Sequence, residues 1–378
     1  MLHTRHSFAP VAAVLVTLLA TGCGADPATD PVDDDQVDRQ PLVAEPDLVA
    51  VGTGAGFTGW GDPVEWDPEQ ALLIGPSLTF AFDALITTAQ IDAAPAAALE
   101  LYDAPTATPL AAEHGLVAAD GHEFLVLRTA KVTEARAGLP TVAPDRATTA
   151  IRVGDRTRML DLAPFDSAIS GDHILVVSVP VGDDAALVLT EEGREQTLDL
   201  RTGRRGEEVS LLYQRPTVTV SGEFDSWVRS QGVTLYNPLS PGEVPLRGEV
   251  DDAALLAYHP QTGWAEVGRA WLTLWLDLDE LLDPLAKITL AAQESFTLTD
   301  AAGRTTAAQP GEVTVRPLLS SNPSSGVLLF EVPEEFRSGT VRFTPTGTVT
   351  TIEDGEERSG QVHSISVGPP VSVQVERQ

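Results

Sequence analysis

Residues 121–127 read Gly-His-Glu-Phe-Leu-Val-Leu, and residues 268–274 read Gly-Arg-Ala-Trp-Leu-Thr-Leu. Both stretches have a glycine, two variable residues, an aromatic residue, and leucines at two alternating positions. This pattern is typical of a β-strand that buries one face in a core, and the glycine before it indicates a turn. The chain therefore contains the same turn and strand twice.

A second pair of stretches matches further along the chain. Residues 174–180, Ile-Leu-Val-Val-Ser-Val-Pro, match residues 327–333, Val-Leu-Leu-Phe-Glu-Val-Pro, without a gap. Proline ends each apolar strand because it cannot donate to the hydrogen-bond ladder. The chain then turns into another strand, Leu-Val-Leu at residues 187–189 and Val-Arg-Phe at residues 341–343.

A third match lies between these two. Ile-Arg-Val at residues 151–153 leads through a turn to Arg156-Thr157, as Phe-Thr-Leu at residues 296–298 leads through a turn to Arg304-Thr305. Three matches in the same order predict a duplicated domain. Each copy is far longer than a solenoid repeat, so the chain is a tandem pair.

Short alternating runs separated by Gly, Pro and Asp dominate the rest of the chain. Only residues 93–101 and 276–285 have helical patterning, and each could be one short inserted helix. We therefore predict an all-β protein with two tandem immunoglobulin-like antiparallel β-sandwiches that follow a disordered tether. The predicted segments are a signal peptide (1–22), an acidic, Pro-rich tether (23–50), a first sandwich (51–215) and a second sandwich (216–378).

Cys23 is the only cysteine, and it follows an apolar segment at residues 8–20 and the small residues Thr21 and Gly22. An apolar segment of this length is a signal core and is too short to span about 30 Å of hydrocarbon. The arrangement resembles the lipobox of bacterial lipoproteins, although Ala20 stands where that family usually has leucine. The resemblance implies a cell-membrane protein with a lipid anchor on Cys23 that faces the extracytoplasmic side. The alternative is a secretory signal cut after residue 25.

The charge of the chain restricts its partners. The net charge is −31, and the tether contains the run Asp33-Asp34-Asp35. Binding of nucleic acid or of an anionic membrane surface depends on clustered lysine and arginine, so both are excluded. With one cysteine, an exported chain has no internal disulfide, and its domains depend on buried cores for stability.

The repeated stretches also resemble a known kind of domain. A glycine, an aromatic-led strand, a Val-Pro-terminated strand and a further strand are similar to the telokin-like, immunoglobulin-like domains of lipoproteins from high-GC Gram-positive bacteria. The resemblance covers about 75 residues in each half, and Val132-Thr133-Glu134 stands where those domains often have asparagine. It implies a non-catalytic extracytoplasmic sandwich of unknown ligand, and no functional residue is carried over.

Catalytic motifs are absent from the sequence. It has no zinc-protease His-Glu-x-x-His, no Gly-x-Ser-x-Gly elbow, no Ser-x-x-Lys nucleophile and no phosphate-binding glycine loop. We therefore expect no enzymatic activity and no cofactor. Carboxylates are abundant enough that an envelope hydrolase that uses two of them is kept as an alternative.

The densest acidic cluster follows Trp275. On a strand two of its carboxylates would share a face and could both coordinate a calcium ion. The ordered spacing of an EF-hand is missing, however. The cluster is either a solvated acidic edge or a calcium site in a calcium-stabilised adhesion module. Its members are Asp277, Asp279, Glu280 and Asp283.

Trp60 and Trp66 lie in a Gly/Pro-rich segment directly after the tether. Tryptophan on a loop is a common binding anchor. The competing interpretation is a strap packed on the adjacent sandwich. Together these observations predict a membrane-anchored lipoprotein with a binding or scaffolding role in the cell envelope, whose partner is an unidentified envelope protein or polymer.

Overall fold

The computed structural model describes residues 40–53, 60–101, 108–109, 114–130, 147–160, 173–206, 209–214, 216–280, 285–317, 326–353 and 355–376. Residues 41–378 form one compact unit, and every strand and helix described here lies within it. Thirty strands and three helices of four residues each make up the described secondary structure. The prediction of an all-β fold is confirmed.

Fifteen strands and one helix precede residue 200. They are β1 (Leu42–Val43), β2 (Val49–Thr53), β3 (Val64–Glu65), β4 (Leu72–Ile74), β5 (Thr79–Thr88), β6 (Gln90–Ile91), α1 (Ala93–Ala96), β7 (Leu99–Leu101), β8 (Thr108–Pro109), β9 (Leu116–Val117), β10 (His122–Thr129), β11 (Ala147–Val153), β12 (Arg156–Leu160), β13 (His173–Pro180), β14 (Ala185–Glu191) and β15 (Arg194–Asp199).

The remaining elements follow helix α2 (Ser210–Tyr213). They are β16 (Thr217–Ser221), β17 (Phe224–Gln231), β18 (Glu243–Leu256), β19 (Tyr258–His259), β20 (Gly263–Trp264), β21 (Arg269–Glu280), β22 (Lys287–Ala291), α3 (Ala292–Ser295), β23 (Phe296–Asp300), β24 (Thr305–Ala307), β25 (Glu312–Pro317), β26 (Gly326–Pro333), β27 (Ser338–Phe343), β28 (Thr346–Glu353), β29 (Glu356–Val367) and β30 (Val371–Glu376).

Strand pairing divides these elements into two sets, which we call the first half (β1–β15) and the second half (β16–β30). In the described residues every pairing joins strands of the same half. The first half contains an eight-stranded sheet in which β3-β5-β10-β13-β2-β7-β8 are neighbours and β4 also pairs with β5, a four-stranded sheet (β12-β11-β14-β15) and a three-stranded sheet (β1-β9-β6). The predicted boundary near residue 215 stays a prediction.

The second half contains a five-stranded sheet with the order β16-β30-β27-β23-β24 and an eight-stranded sheet with the order β18-β17-β29-β28-β22-β25-β21-β26. An additional pairing joins β18, the first strand of this order, to β21, the seventh, so these seven strands form a closed ring and β26 lies outside it. Long strands make this closure possible, because β18 and β21 each pair with more than one neighbour along their length.

The first half has two apolar layers, one on each face of its eight-stranded sheet. Leu125 and Leu127 of β10 pack with the four-stranded sheet in one cluster, while Phe124 and Val126 belong to a separate cluster on the opposite face. Because successive residues of a strand point to opposite faces, a strand that is covered on both sides is apolar throughout. This explains the unbroken run Phe-Leu-Val-Leu at residues 124–127.

The second half buries its core between the five-stranded sheet and the ring. Three aromatic rings meet at the centre: Phe296 stacks on Phe343 at a centroid distance of 4.8 Å, and Phe224 contacts both edge-on. Leu272, with the other inward residues of β21, belongs to this cluster, whereas Trp271 lies on the outer face in a small cluster of four buried residues. The prediction of sandwiched antiparallel sheets fits both halves.

The repeated stretches pair with each other in the same register in both halves. His122 lies opposite Pro180 in the β10–β13 pair, and Arg269 lies opposite Pro333 in the β21–β26 pair. The turns match as well, since Gly121 and the equivalent Gly268 both have positive φ, at 73° and 76°. The carbonyl of each glycine accepts a hydrogen bond of 2.9 Å from the residue after the equivalent proline.

The third sequence match is shifted by two residues. Ile151 lies opposite Leu187, and in the second half the residue opposite Val341 is Leu298, not Phe296. Leu187 and Val341 are the first residues of the matched stretches 187–189 and 341–343, so Ile151 corresponds to Leu298. A shift of two residues keeps the same face of the strand in the core, and for this reason the apolar pattern did not reveal it.

Two local predictions are wrong. Residues 276–280 continue strand β21 because β18 pairs along them, and α1 covers only the first four residues of the predicted helix at 93–101. The tether was also predicted to extend too far, to residue 50. Leu48, Val49 and Ala50 are buried, and β2 pairs with β13, so the packed structure includes residues that we had assigned to the tether.

Candidate functional site

The predicted lipidation site, Cys23, lies outside the described residues. The two candidate binding tryptophans are described, and they pack on opposite faces of the eight-stranded sheet of the first half. Trp60 is 7% exposed and belongs to the same cluster as Phe124. Trp66 is partly buried against the opposite cluster, and a Cβ at Gly203 would come within 3.1 Å of its ring. This packing leaves little of the Trp60 ring to contact a ligand, and Trp66 is half-buried.

The predicted calcium cluster is on a strand. Asp277 and Asp279 alternate with buried leucines on β21, so they share its outer face, and they lie opposite Glu249 and Arg247 of β18. Glu280 ends this strand, and Asp283 lies outside the described residues. Within the described part of the chain, no group of three or more His, Cys, Asp or Glu residues is arranged to hold a metal ion.

A groove in the first half combines apolar and basic residues. It encloses about 300 Å³ and lies at the open edge between the eight-stranded and four-stranded sheets. Its floor includes Val49 of β2, Ile151 of β11 and Val177 of β13, which are all buried and belong to the core between the sheets. Pro46 and Pro180 lie at its margin. We call this feature the edge groove.

Strand β12 brings two arginines to the edge groove. Arg158 lies opposite Ile151, and Arg156 lies opposite Val153. Residues directly opposite each other in an antiparallel pair share a face, so both arginines are on the face that holds Ile151 in the core. Leu160, two residues further, is buried in that core. The inward face of β12 thus changes from apolar to basic as it reaches the groove.

Hydrogen bonds fix two of the polar residues that line the groove. Arg158 donates through Nη1 to the carbonyl oxygen of Asp47, which links β12 to the turn before β2. His122 Nδ1 is 3.1 Å from the carbonyl oxygen of Asp120. Arg156 is exposed.

This groove was not predicted from the sequence. Arg156 was noticed only as part of the repeat, because nothing in the local sequence shows which surface an exposed strand residue faces. The available signal was the alternation of arginines with a buried leucine in Arg-Thr-Arg-Met-Leu at residues 156–160. Its interpretation requires knowledge of β11, which pairs with β12, and of β2 and β13, which lie across the core.

The two halves also contact each other through aromatic side chains of the second half. Trp264 Nε1 donates to the carbonyl oxygen of Glu191 at 2.8 Å, and the guanidinium of Arg194 lies 5.0 Å from the centroid of the Trp264 ring. Tyr258, which packs edge-on against Trp264, donates to Glu192 at 3.2 Å. Burial lowers the pKa of the neighbouring His259 below its usual value near 6.5.

Helix α2 lies in the chain between the two halves and is held against the first half. The hydroxyl of Tyr213 accepts a 3.1 Å hydrogen bond from the backbone nitrogen of Ile74, and the guanidinium of Arg205 lies 4.2 Å from the Tyr213 ring centroid. Leu72 and Ile74 of the first half belong to the main apolar cluster of the second half. The boundary between the halves is therefore apolar and packed.

Comparison with known protein families, curated proteins and solved structures finds no match for this chain. None of the helices in the described ranges has the length and apolar character needed to cross a membrane.

Proposed function

We propose that this protein is a lipoprotein, anchored through Cys23 to the extracytoplasmic face of the cell membrane, with a non-catalytic binding role in the cell envelope. The edge groove is the observation that carries the binding role. It is concave, it has an apolar floor, and a few polar groups converge on its rim, which is the usual composition of a small-ligand site. The acidic, Pro-rich segment after Cys23 is the tether between this site and the membrane.

The proposal includes a duplicated origin for the two immunoglobulin-like halves. The equal register of the β10–β13 and β21–β26 pairs, with equivalent glycines and prolines at their ends, supports it. Packing between the halves adds a scaffolding element. A shared apolar cluster at the boundary opposes the hinge motion that is expected when an interface between domains is small and polar.

A photo-crosslinking amino acid at position 47 tests the binding role. Asp47 is exposed on the rim, and its backbone carbonyl, which accepts from Arg158, is kept when the side chain is replaced. The matched control is position 251, where another exposed aspartate lies in the second half. The full chain carrying either replacement is made in cells and irradiated, and the mass of the recovered protein is measured.

We expect a reproducible adduct at position 47 and none at position 251. Adding Val177→Phe, which fills the floor of the groove, should remove the adduct. Equal labelling at the two positions, or an adduct that persists in the filled variant, would mean that the groove is not a binding site.

A further inference from the structure

The charge of the edge groove is opposite to that of the chain. The whole protein has 24 lysine and arginine residues against 55 aspartate and glutamate residues. Arg156, Arg158 and His122 nevertheless all line one groove, and among the described residues that line it Asp47 is the one carboxylate. A local concentration of basic groups on an acidic chain is a site where an anion is favoured over the rest of the surface.

The orientation of β12 adds to this argument. Arg156 and Arg158 are on the inward face of their sheet, because they lie opposite Val153 and Ile151. Both side chains therefore project from the face of β12 that lines the groove, and not from its opposite face. Guanidinium presents several donors in one plane, which suits the oxygen atoms of a carboxylate or a phosphate.

The floor and the volume limit the ligand further. Val49, Ile151 and Val177 close the bottom of the groove and are each at most 2% exposed, so the aliphatic surface open to a ligand comes from Pro46, Val153 and Pro180, which have no side-chain hydrogen-bonding group. A volume of about 300 Å³ is at the lower end of the range for small-molecule sites. A ligand of this size cannot be a highly charged polyanion, because most of its surface would meet aliphatic side chains.

We infer that the edge groove binds a small amphipathic anion, with its apolar body against Pro46, Val153 and Pro180 and its single carboxylate or phosphate group at Arg156. This inference rests on the proposed binding function and specifies its ligand class. Arg158, held by the Asp47 carbonyl, fixes the width of the groove at its rim.

The arginines have a competing explanation. Inward-pointing charges on an edge strand prevent it from pairing with another chain. β12 is at the end of its sheet order, so this explanation also fits the position of Arg156. It predicts that Arg156→Glu, which still places a charge on the edge, changes neither self-association nor ligand affinity, so the two explanations give different results in one experiment.

The experiment is isothermal titration calorimetry on the full mature chain in nanodiscs, with empty nanodiscs as the blank. The three probes are 3-phenylpropionate, 2-phenylethyl phosphate and the uncharged 3-phenylpropionamide. The variants are Arg156→Glu and a matched control, Arg342→Glu, which makes the same charge change at an exposed position of β27 outside the groove. Light scattering on each sample reports self-association.

We expect the anions to bind saturably and the amide to bind at least about tenfold more weakly, because it lacks the charge that guanidinium pairs with. The tighter of the two anions identifies the head group. Arg156→Glu should weaken anion binding by at least about tenfold, whereas Arg342→Glu should leave it within about twofold.

The inference is wrong if the amide binds as tightly as the anions, if the two variants behave alike, or if no probe binds below about 5 mM. In those cases the crosslinking experiment decides whether the groove has a binding role at all. An adduct at position 47 would keep the binding role with another ligand class, and its absence would remove both.

Discussion

The β10–β13 pair of the first half and the β21–β26 pair of the second half have the same register and different surroundings. In the first half, β13 has β2 on its far side, and the outer face of the pair is covered by a cluster that includes Trp60 and Phe124. In the described part of the second half, β26 is the last strand of its sheet order, and the outer face holds only the four-residue cluster of Trp271.

This difference shows what a short repeated pattern specifies. A turn glycine, an apolar strand and a terminal proline define which residues pair, because a slip of one residue would expose the apolar face. They do not define what packs on the outside. The edge groove depends on this variable part: Val177 lines it beside β2, whereas the equivalent, equally buried residue of the second half is the larger Phe330.

The largest expected effect tests the two outer layers. Phe124→Ala removes a fully buried ring from a cluster of 15 residues, so we expect a loss of about 4 kcal/mol in unfolding free energy. Trp271→Ala removes a ring that is 6% exposed from a cluster of four, where collapse and hydration are easier, so the loss should be about 3 kcal/mol or less. Urea denaturation measures both, with the exposed Val181→Ala as control. A larger loss at Trp271 would contradict the comparison.

Exchanging the equivalent residues Val177 and Phe330 should have the next largest effect on unfolding free energy. Phe330→Val leaves a cavity in the core of the second half and should cost about 2–3 kcal/mol. Val177→Phe has some space available at the groove and should cost about 1–2 kcal/mol. The stability of each variant is again measured in urea. If the two replacements cost the same, the floor of the groove is as tightly packed as the core of the second half.

The contact between the halves gives a smaller effect. Trp264→Phe keeps an aromatic ring beside Tyr258 and Arg194 but removes the hydrogen bond to the Glu191 carbonyl, so we expect a loss of about 1 kcal/mol. Calorimetry should show one unfolding transition for the wild type, because the halves share an apolar cluster. Two separate transitions in the wild type would mean that the halves are independent.

His259 provides the smallest effect, which depends on pH. Its pKa is lowered by burial, so the unfolded chain takes up a proton at a higher pH than the folded chain. Stability is therefore complete above about pH 6.5 and falls as the pH drops from there through the folded-state pKa.

His259→Asn keeps an acceptor for the Gln261 backbone nitrogen, which now donates to Nδ1 at 3.3 Å, and it removes the titration. Melting temperatures at pH 7.5 and pH 5.5 should differ less in the variant than in the wild type. An unchanged difference would assign the acid sensitivity to other groups.

The sequence predicted the fold class because its strongest signals are local. Alternation, turn glycines and the two Val-Pro strand ends all depend on residues within one strand, and the all-β prediction made from them is confirmed. Local signals failed at residues 276–280, where leucines and carboxylates fit a helix and a strand equally well. Pairing with β18, which begins about 30 residues earlier in the sequence, decides in favour of the strand.

The edge groove was beyond local prediction for a related reason. Its floor and rim come from β2, β11, β12 and β13, and the position of Arg156 depends on its partner Val153. The tryptophans were singled out because of their residue type, yet Trp60 proves to be part of a core. Residue type thus singled out side chains that turned out to be packed, whereas the groove is formed by residues from two sheets.

A binding role in the envelope requires that the chain is attached there, and the mass of its mature N-terminal peptide tests this most directly. The peptide is released by protease from purified membranes and measured by mass spectrometry. We expect the mature peptide to begin at Cys23, with diacylglycerol and all of the added mass on that residue. An unmodified peptide that begins after residue 25, recovered from the secreted fraction, would contradict it.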